Sequence, residues 1–397
     1  MPAGAVLMKR SRHGPGVLLG CVAGACAASL PAAAGDWTVK TSLSETISVN
    51  DNLGLDVDSL GVAFGSNSSI GLDATARSHV YDFNLKANLG YQTYFGEGAE
   101  ETADSFRPSL SSSYVRRGKS TTFSSNLSYI YTPASESQGL EVDSTDNKSD
   151  RQTLSGGKSI AYKVNALNDL TLSARASRTD FLGNPADDEN GSTSAGSSLS
   201  WLHRATKRTD FTLSTGVDWY GYDDKIDSGS FLYFVKGGVS ARLSPRLSVT
   251  ASAGPQFRDA YKDVKGDRNT STIGGLGDIG FSYKLKSSSL SGSASYGLSP
   301  DSNGDLQNSL SARLNYSYQI NDHSKFGIGA QARFSDDGTG NRLNNTRYSI
   351  SPSYSYTLAR DWQLSASYQF ATSDDSDGLA VQNSAYLTLS RSYVLLP

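Results

Sequence analysis

Cysteine is almost missing from this chain: two residues in 397, Cys21 and Cys26, both upstream of Gly35. Past that point a disulfide framework, a thiolate metal site and a cysteine nucleophile are all excluded. Histidine is nearly as scarce, and only His79, His203 and His323 follow the leading segment. A Ser-His-Asp arrangement cannot be argued from so few. Carboxylate pairs such as Asp187-Asp188 sit in polar loop sequence, and no phosphate-cradling glycine motif joins a strand pattern to a helix pattern. Asp374-Asp375-Ser376-Asp377-Gly378 and Asp143–Asp150 resemble calcium loops but lack the full ligand spacing and the closing glutamate. No basic aromatic surface suggests nucleic acid. The expectation is a protein that is not an enzyme and has no cofactor and no metal.

Long apolar runs are also wanting. After the leader, nothing approaches the ~20 residues of a spanning helix, and the mean hydropathy of −0.39 is that of a soluble protein. Neither fact excludes a membrane, because alternating strands escape hydropathy windows.

The leader itself reads as a secretory signal, residues 1–34. Lys9, Arg10 and Arg12 precede an apolar run from Val17 to Leu30, and Ala32-Ala33-Ala34 supplies small residues for cleavage. Leu18-Leu19-Gly20-Cys21 reads alternatively as a lipidation box, with too few apolar residues before it. Losing three basic residues makes a chain of formal charge −3 more acidic still. No shift in composition divides residues 35–397, so one domain is expected there.

What fills those residues is alternation of period two. Tyr81, Phe83, Leu85, Ala87, Leu89 and Tyr91 fall on one face of an extended segment, with Asp82, Asn84, Lys86, Asn88 and Gln92 on the other. Similar segments begin at Trp37, Ser69, Val80, Ser105, Thr121, Arg151, Asp169, Ser194, Thr209, Gly229, Leu247, Thr270, Ser289, Ser309, Lys325, Arg347, Trp362 and Asn383. The pattern predicts an all-β fold, a closed antiparallel transmembrane β-barrel of about eighteen strands, with sixteen as the alternative count. Short connections such as Ser78-His79, Asn165–Asn168 and Ser244-Pro245-Arg246 alternate with long ones rich in Asp, Gly, Ser and Asn. Short turns belong in the periplasm and long loops outside, so both termini are expected in the periplasm of a Gram-negative cell, with the barrel in its outer membrane.

Most long loops are acidic, as at Glu97, Glu100, Glu101 and Asp104, or Asp187, Asp188 and Glu189. Solvated surface charge explains them; cation bridging to lipopolysaccharide is the sharper alternative. Lipid-facing positions should be nearly free of charge, since one near the midplane costs about 2–4 kcal/mol. Glu45, Lys158, His203 and Arg391 are the intruders. Lys158 follows Gly156-Gly157, where a bulge would re-aim it, and Pro108, Pro255 and Pro352 predict further bulges inside strands. Trp37, Phe95, Tyr131, Phe181, Trp219, Tyr222, Phe231, Trp362 and Tyr393 stand near strand ends, as girdle aromatics do.

The polar face is rich in Ser, Thr, Gly and Asn, side chains too small to fill a barrel of this girth, so an aqueous channel is expected. Asn50–Ser68 and Pro133–Asp150 are the loops long enough to fold inward and narrow it. Candidate pore-lining cations are Lys86, Arg107, Lys163, Arg175, Lys236, Arg242, Arg258, Arg313, Arg333 and Arg347. Lys40, Arg77, Arg151, Arg204, Lys284 and Lys325 share their face, against Asp73, Asp82, Asp210, Asp218 and Asp278. A basic wall concentrates anions and repels cations. The composition thus points to a passive channel for an anionic solute or an outlet for an acidic exopolysaccharide, with lipid and lipopolysaccharide as surroundings. The alternative is a non-conducting barrel that anchors or presents an interaction surface.

The opening Trp37-Thr38-Val39-Lys40-Thr41-Ser42-Leu43-Ser44-Glu45-Thr46, running into Asn50-Asp51-Asn52-Leu53, resembles that of the beta-barrel porin 2-like group, found with exopolysaccharide and exosortase loci. The Ser-Tyr alternation of Tyr348–Tyr356 is similar too. The ending Tyr393-Val394-Leu395-Leu396-Pro397 departs from the usual terminal Phe. The resemblance implies a barrel with a porin-like or exopolysaccharide-linked role and carries over no functional residues.

Overall fold

Alternating side chains force one face of every segment against something apolar, and eighteen such segments close on themselves. The computed structural model describes residues 36–99, 104–133, 149–182, 190–223, 228–261, 270–300, 306–336, 343–375 and 378–396. The 1–34 leader, most of Pro133–Asp150 and most of the acidic loop tips lie outside the described residues. The strands are β1 Asp36–Asn50, β2 Ala63–Arg77, β3 Tyr81–Phe95, β4 Ser105–Arg117, β5 Thr121–Thr132 and β6 Asp150–Lys163. They continue as β7 Asn168–Leu182, β8 Ser192–Arg204, β9 Thr209–Tyr222, β10 Gly229–Arg242, β11 Leu247–Tyr261 and β12 Thr270–Lys284. The last are β13 Ser288–Pro300, β14 Leu306–Gln319, β15 Ser324–Asp336, β16 Leu343–Ala359, β17 Trp362–Asp375 and β18 Gly378–Leu396. Each pairs antiparallel with its chain neighbour, and β18 returns to pair with β1 from Val39↔Leu396 to Asn50↔Ser384. The sheet therefore has no free edge, as a spanning barrel requires.

Turn chemistry explains the short end. Ser78, Asn165, Thr206, Ser244 and Asn321 each accept, through a side-chain oxygen, a backbone N–H two residues on. Such Asx and Ser/Thr turns reverse the chain in a few residues. The first residues of β1 and the last of β18 lie together at this same end.

Burial is inverted relative to a globular domain. Large apolar side chains stand exposed in an outward belt, Ile47 at 59% and Ile273 at 78%, which only hydrocarbon covers at low cost. Among the described residues no helix is long and apolar enough to cross a membrane, so the crossing is made by strands.

Several expectations need correction. Register runs unbroken through Gly156, Gly157 and Lys158 on both sides, so no bulge re-aims that lysine and it stays outward. Pro108, Pro255 and Pro352 also sit without a register shift. At Pro255 and Pro352 the ladder skips two pairs and resumes in step, while at Pro108 the β4–β5 ladder stops, its last pair being Ser109↔Ile130. The observed irregularities are elsewhere, at Val39/Lys40, Ser335/Asp336 and Thr357/Ala359. Phe181 and Tyr222 are not girdle residues: they pair with Arg151 and Ser192 on the inner face.

Candidate functional site: the inner wall

Directly paired residues of a ladder share a face, so the registers assign every side chain to one side. All ten candidate cations, Lys86, Arg107, Lys163, Arg175, Lys236, Arg242, Arg258, Arg313, Arg333 and Arg347, fall opposite the apolar belt.

The wall is less uniformly basic than a count of its cations suggests. Lys86 Nζ stands 3.8 Å from Asp73, which also accepts from Asn84 and Thr75. Arg175 donates to the buried Asp218 at 2.6 Å. Lys236 reaches Asp278 at 2.9 Å, beside Ser252. Asp82 is taken by Arg117 at 2.5 Å, and Arg204 pairs with Asp169. Four of the five inward carboxylates named from sequence are thus each engaged by a cation.

What remains gathers in two places. The first is a panel on β13–β17. One row of paired residues runs Ser295–Ser311–Arg333–Arg347–Ser373 and the next Ser293–Arg313–Gln331–Ser349. Arg313 donates to Gln331 and Arg347 to Ser373, each at 3.1 Å. Arg333 has no ion pair among the described residues, and its Nε is buried without a hydrogen-bond partner. Two guanidiniums directly opposed across a ladder repel each other, and an oxyanion held between them would relieve that repulsion.

The second lies at the short-turn end. Lys207, Arg208, Arg242, Arg246 and Lys284 surround a cavity of about 430 Å³ whose other lining includes Ser244, Ser248 and Ser282. Arg242 spends one donor on the Lys207 carbonyl at 3.1 Å. Lys163 and Arg258 join neither group and have no ion pair among the described residues.

At the long-loop end, the first connection leans on the inner face. Inward Gln382 donates to the carbonyls of Asn52 and Leu53 at 2.7 and 3.3 Å. Buried Asn52 donates to Val381 and Asp56, and Asp51 binds Asn383 through backbone and side chain. The loop spans only residues 51–62, because the last six residues of the expected Asn50–Ser68 loop, from Ala63, are strand. No group of three or more His, Cys, Asp or Glu side chains able to hold a metal ion occurs among the described residues.

Comparison with known proteins yields shapes rather than relatives. No family model matches the chain, and no curated protein matches it. Among solved structures, it is similar to OpdO of Pseudomonas aeruginosa at 14% identity and TM-score 0.47, covering 91% of this chain and 98% of that one. OccAB4 of Acinetobacter baumannii gives 12% identity and TM-score 0.48, with 90% and 98% covered. A BenF-like porin from Pseudomonas fluorescens Pf-5 gives 14% and 0.47, with 91% and 99% covered. The barrel described above rests on its own closed ladder of hydrogen bonds, not on these likenesses.

Proposed function

We propose that the protein is a passive outer-membrane channel of a Gram-negative bacterium whose inner wall favours anions. In this reading the short turns and both termini face the periplasm, and the long acidic loops face outward. The observation that carries it is the Arg313–Arg333–Arg347 panel: three guanidiniums in a field of serine hydroxyls. Arginine binds carboxylate and phosphate through paired parallel donors, and hydroxyls suit the rest of a sugar acid. The basic cavity at the short-turn end extends the same field to the other mouth. Cations already engaged by carboxylates, Lys86, Arg175 and Lys236, contribute less to that field than Arg258 and Arg333. Solutes of this class include acidic sugars and, for an outlet, an acidic exopolysaccharide, in keeping with the resemblance of the opening strand to exopolysaccharide-associated barrels.

Planar-bilayer recording on the refolded mature chain tests the proposal. Expected is stable conductance with a reversal potential displaced toward chloride in a KCl gradient, and displacement toward potassium in the Arg333→Glu, Arg347→Glu double variant. Cation selectivity in the unaltered protein would overturn the anion reading. A silent barrel that still shows heat-modifiable mobility would favour a surface platform instead.

A further inference from the structure

The outward belt holds two charges that the channel does not use. Most charged side chains on that face have evident compensation. Arg178 bridges Asp180 and Asp223 at 2.7 and 2.6 Å near the long-loop end. Arg391 lies under the rings of Trp362 and Tyr393, 5.1 and 4.5 Å from their centroids, near the short-turn end. Glu45 and Lys158 are different, because each sits between the two aromatic levels. Glu45 of β1 accepts from Ser66, at 2.6 Å, and from Ser68 of β2. Ser68 pairs with Tyr91, and Tyr91 with Phe106. Lys158 of β6 lies exposed opposite Ser125 and Ala174, and its ammonium has no ion pair among the described residues.

The surroundings of the two are complementary. Glu45 forms part of the wall of an outward groove of about 530 Å³, lined also by Leu43, Ile70, Leu89, Tyr91 and Phe106. Arg391, diagonal to Glu45 across the β1–β18 ladder, lines it too, with its guanidinium over the rings of Trp362 and Tyr393. Lys158 protrudes from a face whose outward neighbours are small on the long-loop side and directly across, Gly156, Ala176, Ser125 and Ala174, and large on the short-turn side, Phe123, Ile160 and Leu172. Small residues let two membrane-embedded surfaces approach closely. Five strands separate β1 from β6 in a barrel of eighteen, about 100° of the circumference, so one molecule cannot join the two.

We propose that the protein assembles with copies of itself, the Lys158 side chain of one copy entering the Glu45 groove of the next. Two different patches meet in such a contact, so it is heterologous, and with the patches on adjoining sides it closes into a small ring rather than a two-fold pair. Each charge then faces its opposite in place of hydrocarbon.

The test uses the full mature chain extracted with its lipid by a styrene–maleic acid polymer, and its mass by native mass spectrometry. Expected is an oligomer that falls to monomer in Lys158→Glu and in Glu45→Lys, and re-forms in the double charge exchange. Because the mature chain has no cysteine of its own, Glu45→Cys chains mixed with Lys158→Cys chains should cross-link to each other, while neither variant alone does. Cross-linking reads the contact even if a charge reversal prevents folding, which heat-modifiable mobility reports. A monomeric unaltered protein, an oligomer indifferent to both reversals, or cross-links only between two Glu45→Cys chains would overturn the proposal.

Discussion

At the scale of single residues, the inner wall is decided by which cation meets which carboxylate. Asp218 holds Arg175 because the position opposite it on β8 is Gly196, where an added Cβ would lie 1.9 Å from the Asp218 carboxylate. Gly196→Ala therefore pushes the carboxylate aside, and the expected result is a lower temperature for loss of the heat-modifiable band. Asp218→Ala leaves the guanidinium of Arg175, already 65% exposed, without its anion. It should shift the reversal potential further toward chloride, and Arg175→Glu in the opposite direction. None of these pairings was legible beforehand. Asp73, Asp82, Asp218 and Asp278 were visible as inward positions and Asp169 was not, and no partner was, because the partner sits on another strand at a distance set by register.

Among the elements, alternation located nearly every strand to within a few residues, and the exceptions have a physical cause. The first part of β2, Ala63–Ser68, does not alternate apolar with polar, because its outward positions Ser66 and Ser68 serve Glu45. The start of β18 was hidden by Asp374-Asp375-Ser376-Asp377-Gly378, which reads as a turn; Gly378 is in fact its first residue, at φ 133°. Prolines were expected to bulge the ladder and instead interrupt it in step. At Gly254-Pro255, the chains come so close that a Cβ on Gly254 would lie 1.8 Å from the Val235 carbonyl oxygen. Gly254→Val should destabilise the barrel by about 1–3 kcal/mol, the range of overpacking, measured as a lower urea midpoint for the folded band.

For the molecule as a whole, closure and the mouth matter most. The loop 51–62 is fastened to β18, the strand that completes the barrel, and Asn52 carries much of that fastening. Asn52→Ala removes the donors to Val381 and Asp56 and the acceptor for the Asp56 N–H. If the loop narrows the opening, open-channel noise should rise while heat-modifiable mobility stays unchanged; quiet traces indistinguishable from the unaltered protein would assign the loop a purely structural role.

Period-two alternation, a property of the chain read a few residues at a time, was enough to establish the barrel, its two faces and its turns, and to propose a set of inward cations. Only the tertiary structure could decide which of those cations stand beside one another. Arg313, Arg333 and Arg347 come from three strands joined by loops of unrelated length, and backbone hydrogen bonds between the strands, not side-chain pattern within them, align the three on one panel. The same holds outside the barrel, where Glu45 of β1 meets the hydroxyls of Ser66 and Ser68 of β2.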